Sequence, residues 1–463
     1  MRPRHWFRIH SFTGVITGLM LFLVCWSGTF AVLSQEIDWL VTPEARVSLS
    51  QPYQAEQAPW GDWAEAVERF APDGEVLWLK QPLYSGFAAN AVVNQPDQIL
   101  RQLYIHPETA EIQGVYSYMD VQRFFRNFHM NLFGLGGFGI YLVTALGITL
   151  LVSLTAALFF YKRWWRRFFS FKGGTGRTLW SELHKLAGLW SLWLALIMGL
   201  TGTWYLIEIA RLDVGDGKFS YVGTGQTAVH SIDPPEHGPE ARPITLDAAV
   251  ERARTLWPGF QVRQINPARN DNGIHRMEGQ AGAVLVRDRG NQLYLDSHSG
   301  EVLYRKDAVE LPLYWRWSHT ADPLHFGDFG GLWSKAIWAV FGLILCGVIL
   351  SGTWLHAHRL ARSAGSHRRH HWPGTVAALL VTLLILAGTV ISGFDQARNV
   401  YGPEVDGIQQ LPELATGVRN VIIAWTALTL LIIAAWVALL WRPSLIHSLQ
   451  KSPHSGAPSK KRS

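Results

Sequence analysis

The sequence predicts an α+β integral membrane protein: six transmembrane helices that carry two extracytoplasmic α+β domains. Three observations predict it. Six stretches, 9–35, 127–161, 186–207, 336–358, 370–394 and 420–441, contain no Asp, Glu, Lys or Arg. Two long polar segments, 36–126 and 208–332, fall between them and share internal motifs. Hydrophobic residues make up 48% of the 463-residue chain, too apolar for an ordinary soluble protein of that length.

At 1.5 Å rise per residue, about 20 residues cross a hydrocarbon core of roughly 30 Å, and each charge-free stretch reaches that length. The predicted order is an N-terminus and first span at 1–35, an outer domain at 36–126, and a second span at 127–161. A loop at 162–183 leads to the third span at 184–207, and the second outer domain occupies 208–332. The fourth span, 333–358, is followed by a loop at 359–371, a fifth span at 372–394, an outer loop at 395–419, a sixth span at 420–441 and a tail at 442–463. The first stretch is too long, and too poor in small residues at a cleavage position, to read as a removed signal peptide.

Basic residues set the orientation. Arg2, Arg4 and Arg8 precede the first span; "YKRWWRRFFSFKGGTGR" joins the second to the third; "HAHRLARSAGSHRRHH" joins the fourth to the fifth; Lys460, Lys461 and Arg462 lie in the tail. All four segments share one side when the odd spans run outward, so the positive-inside rule places both termini of a multi-pass membrane protein in the cytoplasm. That bias accounts for the net charge of +6, and no nucleic-acid partner is implied. The two cysteines, Cys25 and Cys346, fall inside spans, which leaves no disulfide framework, no CxxCH haem attachment and no thiolate zinc site.

The outer segments repeat one another. "QLYIHPETAEIQGVY" (102–116) and "QLYLDSHSGEVLYR" (292–305) alternate apolar residues around a polar turn and predict β-hairpins. Each follows a helical stretch with an A-V-E-R core, "WAEAVERFAPDGEV" (63–76) and "LDAAVERARTLWPGFQV" (246–262). The chain therefore reads as helix, outer domain, helix, twice, with a final helical hairpin.

Histidines repeat in register with this plan. His10 and His184 open the first and third spans, each followed at +4 by glycine (Gly14, Gly188) and later by Ser27-Gly28-Thr29 and Thr201-Gly202-Thr203. An offset of eighteen residues at about 100° each closes whole turns, which would put His10 and Gly28 on one helix face. Such a small-residue strip leaves room for a flat group between helices, and it also serves close packing without one. His129 and His325 repeat the theme on the opposite side, with Phe133-Gly134 and Phe329-Gly330 following at +4 and +5. A pseudo-two-fold axis along the membrane normal would pair His129 with His325 near the outer surface and His10 with His184 near the inner one. Titratable residues inside membrane segments tend to be functional. Two pairs at two depths suit two bis-histidine haems, and two imidazoles without Cys, Asp or Glu make a poor closed zinc site. His370 echoes the design through Gly374 and Gly388, and His356, His358 and His371 also lie inside, so any of these four is an alternative member of the inner pair. The segment before the fourth span adds His319, Asp322 and Asp328, either substrate-docking groups or an interfacial belt.

The "PGFQV" and "YLDSHSGEVL" strands resemble the PepSY domain, and two PepSY-like domains flanked by such helices resemble the PepSY-associated transmembrane helix family of iron-regulated inner-membrane proteins and ferric-siderophore reductases. The first outer domain departs from the pattern, with His106 and Ala110 where Asp and Gly are expected. The resemblance implies two haem b groups and a ferric siderophore as electron acceptor, reduced so that Fe(II) is released. No G-x-G-x-x-G follows a strand, so electrons would come from a cytoplasmic reductase or from quinol. No Ser/His/Asp set or H-E-x-x-H is present, and no catalytic acid, base or nucleophile is expected. A non-enzymatic PepSY scaffold or regulator, and an electron-donor subunit for another periplasmic oxidoreductase, are the alternatives.

Overall fold

The computed structural model describes residues 2–96, 99–214, 232, 236–237, 242–268, 273–363 and 374–441; His367, His370, His371 and the tail at 442–463 lie outside the described residues. The first half contains helices α1 (Pro3–Ile16), α2 (Gly18–Val32), α3 (Ser34–Val41) and α4 (Trp60–Phe70). Strands β1 (Glu75–Lys80), β2 (Ala89–Asn94), β3 (Leu100–Ile105) and β4 (Ile112–Ser117) follow, then α5 (Val121–Asn131) and α6 (Gly139–Phe160). The second half contains α7 (Gly176–Trp190), α8 (Leu192–Val214) and α9 (Leu246–Leu256), then β5 (Gln261–Asn266), β6 (Ile274–Gln280), β7 (Asn291–Asp296) and β8 (Val302–Lys306). It closes with α10 (Leu313–Phe326) and α11 (Gly331–Ser363), and the chain ends in α12 (Thr375–Tyr401), a short β9 (Glu404–Val405) and β10 (Ile408–Gln409) hairpin, and α13 (Thr416–Trp441).

Five helices, α6, α8, α11, α12 and α13, are long and apolar enough to cross a membrane, and the α1–α2 pair makes a sixth if counted as one span. The chain is a multi-pass membrane protein with one eight-stranded antiparallel sheet. Three apolar stretches differ from their expected continuous form. The first is bent by 67° between α1 and α2. The break falls at Thr17-Gly18, where α1 ends and α2 begins. The second is divided at residues 132–137, where Leu132, Phe133, Gly134, Gly136 and Gly137 all have positive φ, so α6 begins at Gly139 rather than near 127. The third is interrupted at Ser191. Because His10 and Gly28 lie on either side of the first break, the whole-turn argument that placed them on one face does not hold. It fails in the same way for His184 and Gly202.

The two outer segments were expected to form two domains, but their strands share one sheet. The order is β4-β3-β2-β1-β5-β6-β7-β8, antiparallel throughout, with β1 meeting β5 through Leu79↔Ile265 and Lys80↔Gln264. The order is a palindrome, and even the register shifts match: at Val76/Trp78 and Val262/Gln264, and at Tyr104/Ile105 and Tyr294/Leu295. Helices α4 and α9 lie against each other and share one core with the sheet, in which Trp60, Trp63, Leu79, Leu103, Ile265, Met277 and Leu295 have no more than 1% of their surface exposed. The helices obey the same symmetry: α6 packs on α1 and α8 as α11 packs on α7 and α2. Likewise α5 packs on α2 and α10 on α8. Helices α12 and α13 have no counterpart. They brace one side only: Trp425 packs edge-on against Phe125 and Phe128, Asn127 Nδ2 donates to Tyr401 Oη at 3.0 Å, and Ser392 Oγ donates to the Phe133 carbonyl at 2.7 Å.

The two hairpin turns show one plan with two chemistries. In the second, Asp296 Oδ1 accepts from His298 N and Ser299 N, and Gly300 takes φ +68°. In the first, His106 Nδ1 accepts from Glu108 N and Thr109 N, both at 3.3 Å, and Ala110 takes φ +55°. An L-residue with a Cβ in that region is strained by about 1 kcal/mol or more. Ala110→Gly is therefore expected to raise the thermal midpoint of the outer sheet, equivalent to about 1 kcal/mol.

Candidate functional site

Two histidine pairs form between the halves of the chain. His129 on α5 and His325 on α10 have ring centres 6.0 Å apart, and His10 on α1 and His184 on α7 have ring centres 6.4 Å apart. Each pair takes one ring from each half, as a two-fold relation between the halves requires. His356 and His358 are buried on α11, and the ring that lies beside His10 is that of His184.

The local structure fixes where each ring sits. The first amides of α5 are taken by carboxylates: Val121 N and Gln122 N donate to Asp38 at 2.8 and 3.0 Å, and Arg123 N donates to Asp120 at 2.6 Å. Its C-terminal end is closed by Leu132 in the left-handed conformation, with Leu132 N and Phe133 N donating back to Phe128 O and Asn127 O at 3.0 Å. The α10 helix ends similarly at Gly327, φ +67°, whose N–H donates to Pro323 O. A Cβ on Gly327 would lie 2.4 Å from Trp338, so this stop requires glycine twice over. Both outer histidines thus sit in the last turn of a short, capped helix that precedes a long one.

Each histidine is held through Nδ1. His129 Nδ1 donates to Val24 O at 2.9 Å and lies 3.3 Å from Ser27 Oγ; His325 Nδ1 donates to Thr201 Oγ1 at 2.7 Å. His10 Nδ1 donates to Ser153 O at 3.0 Å beside Ser153 Oγ at 2.9 Å; His184 Nδ1 donates to Val348 O at 3.1 Å and Ser351 Oγ at 3.0 Å. The hydroxyls of Ser27, Thr201 and Ser351 already donate to Val24 O, Ile197 O and Val348 O, so toward the rings they act as acceptors. The acceptors assign the proton to Nδ1 in all four rings and leave Nε2 with the lone pair. Among the described residues no Nε2 of the four has a hydrogen-bond partner. A hydrogen bond at Nδ1 of this kind fixes the tautomer and the ring direction, as it does where imidazole ligates a metal through Nε2.

Glycines let two of the rings approach a neighbouring helix closely. All four are only half-buried by protein. A Cβ on Gly28 would lie 2.6 Å from His129 Cε1, and one on Gly352 would lie 3.1 Å from His184 Cε1. The sequence pointed to the Ser-Gly-Thr segments as places for a group to fit; the structure puts Gly28 against a histidine of the opposite end. The residues missed from sequence are the acceptors Ser153 and Ser351, which only a comparison of the two halves would have singled out.

A polar cavity of about 320 Å³ lies between α5 and the sheet, lined by Asp38, Lys80, Tyr118, Asp120, Arg123 and Arg126 among others. Burial lowers the Lys80 amine, and burial together with the Arg126 charge brings the Arg123 guanidinium down to about 10. Burial raises the Asp120 carboxyl to about 7 against the hydrogen bonds it accepts. Arg126 stands three residues before His129, the spacing of neighbours on a helix surface, and Arg123 lies one turn further back. The docking groups suggested from sequence lie otherwise. Asp322 is ion-paired with Arg287 at 2.6 Å and accepts from Tyr205 Oη at 2.7 Å, and His319 is buried, pushed down to about 3 by burial and then by Lys306 and Arg289. Neither is free at the surface. Asp328 is carried up to about 6 by burial, against the pull of Lys335.

The spacing of each pair admits one metal ion, such as a haem iron, between the two rings. With metal–imidazole bonds of about 2.0 Å and a further ~1.1 Å from ring nitrogen to ring centre, two rings on opposite sides of one iron have centres about 6 Å apart. Both observed spacings agree with that. No curated protein matches the chain. A family model described as "PepSY-associated TM region" matches residues 7–359, the span that holds both halves and all four paired histidines, and the chain belongs to that family.

Proposed function

We propose that the chain is an inner-membrane dihaem b-type electron-transfer protein that reduces a ferric siderophore on the outer side and so releases Fe(II). In this reading both termini are cytoplasmic, the two halves of the sheet are PepSY-like domains in the periplasm, and electrons enter from a cytoplasmic reductase or from quinol. The observation that carries the reading is the pairing of His129 with His325 and of His10 with His184 at 6.0 and 6.4 Å, each ring fixed through Nδ1. When bound, haem supplies a one-electron carrier whose potential is set by its axial ligands and its burial.

The chain's own residues do the rest. Val24 O, Thr201, Ser153, Val348 O and Ser351 hold the imidazoles in one tautomer, so that no proton or ring rotation accompanies ligation. Arg123 and Arg126, on the helix that bears His129, and Lys80 across the cavity favour an anionic acceptor near the outer pair. Siderophores bind Fe(III) through hard, often anionic oxygens, and reduction weakens that hold without any acid, base or nucleophile from the protein.

An absorption spectrum of the solubilised protein, oxidised and then dithionite-reduced, with haem counted per chain, tests the reading. A sharp reduced α-band, a stoichiometry of about two, and re-oxidation by ferric siderophore with Fe(II) trapped by a chelator are expected. No haem after expression with ample haem supply would leave the histidines as packing residues and overturn the reading.

A further inference from the structure

A third group of histidines lies on the outer sheet and takes no part in the pairs. Asp296 ends β7 and is 1% exposed. Its Oδ1 accepts from His298 N at 2.6 Å and Ser299 N at 3.2 Å, which leaves Oδ2 facing away from the turn. There His237 Nε2 stands 2.9 Å from Oδ2. The His298 ring lies over the His237 ring with centres 4.2 Å apart and planes 31° apart; its Nδ1 is 3.9 Å from Asp296 Oδ1 and 3.0 Å from Ser297 Oγ. One ligand atom from each of His237, Asp296 and His298 falls within 4.8 Å of the other two, the one such set among the described residues. His275, on the neighbouring strand, keeps its Nδ1 on the Ala268 N–H and stands outside the set.

We propose that His237, Asp296 and His298 bind one divalent first-row transition-metal cation. Two imidazoles and a carboxylate make the mixed nitrogen and oxygen set that suits Zn(II), Fe(II) or Co(II), with open positions for water. Ligand atoms around such an ion at about 2.1 Å lie roughly 3 to 3.5 Å from each other, so the rings need close in by only about 1 Å. The matching turn in the first half provides the internal control. It folds with His106 Nδ1 accepting the same two amides, and among the described residues no such group of metal-ligating side chains gathers there. The turn therefore needs an acceptor at its first position and nothing more. His237 and His298 are surplus to the hairpin, and their convergence on the one carboxylate is explained by a shared cation. The bound ion would also fasten the segment at 236–237 to the end of the sheet.

Calorimetric titration of Zn(II) into the full-length solubilised protein tests the site. His237→Gln and His298→Gln leave Asp296 and its turn amides in place, and the metal-free thermal midpoint reports that the outer sheet is intact. Wild type is expected to bind one equivalent that both variants lose, or bind at least tenfold more weakly, and zinc should raise the wild-type midpoint alone. Identical zinc binding by wild type and both variants would overturn the proposal, as would no zinc binding by wild type. Either result is independent of the haem content.

Discussion

Replacing His129 with alanine is expected to remove about half of the haem and leave the rest spectrally intact, because the His10–His184 pair does not share its ligands. The helix that carries His129 should survive: its first turn is capped by Asp38 and Asp120, and its last is closed at Leu132. His325→Ala should have the same effect, and the double variant should lose no more than either single one. That non-additivity is the signature of two rings acting on one group. His10→Ala or His184→Ala should instead remove the complementary half. Pyridine haemochrome quantification on the folded variants reads all of this, and full haem retention in both outer variants would remove His129 and His325 from the ligand set.

Gly28→Ala is expected to weaken the outer site nearly as much while leaving every histidine in place. The new Cβ would stand 2.6 Å from His129 Cε1 and 3.0 Å from Nδ1. The ring cannot swing aside without giving up its bond to Val24 O. Overpacking of this kind costs about 1–3 kcal/mol, or roughly five- to over a hundred-fold in haem affinity. Gly352→Ala, with its Cβ 3.1 Å from His184 Cε1, should weaken the inner site less. Haem content measured in the two variants against wild type gives a graded series. Wild-type content in Gly28→Ala would mean that the close contact between Gly28 and His129 serves no ligand.

Much of the architecture was legible because its signals are one-dimensional. Charge-free stretches mark apolar helices wherever they fold, and the repeated Q-L-Y hairpins mark related strands. The pairing of histidines followed from the repeat itself, since a two-fold relation brings like positions together. Three features were not legible. The break at Thr17 falls inside a charge-free apolar stretch whose composition is that of a continuous helix. The division at 132–137 places Leu132 and Phe133 in a conformation that neither residue favours, so nothing in their identity announces it. The seam between β1 and β5 joins segments nearly two hundred residues apart through two residue pairs, a contact decided by the meeting of the halves and not by either alone.

That seam decides what one half could do by itself. A single half would expose the edge of β1 and own one ring of each pair. Only the two halves together, joined across that edge, complete the eight-stranded sheet and both pairs. The halves do this without being identical: His106 and Ala110 in one turn stand against Asp296 and Gly300 in the other.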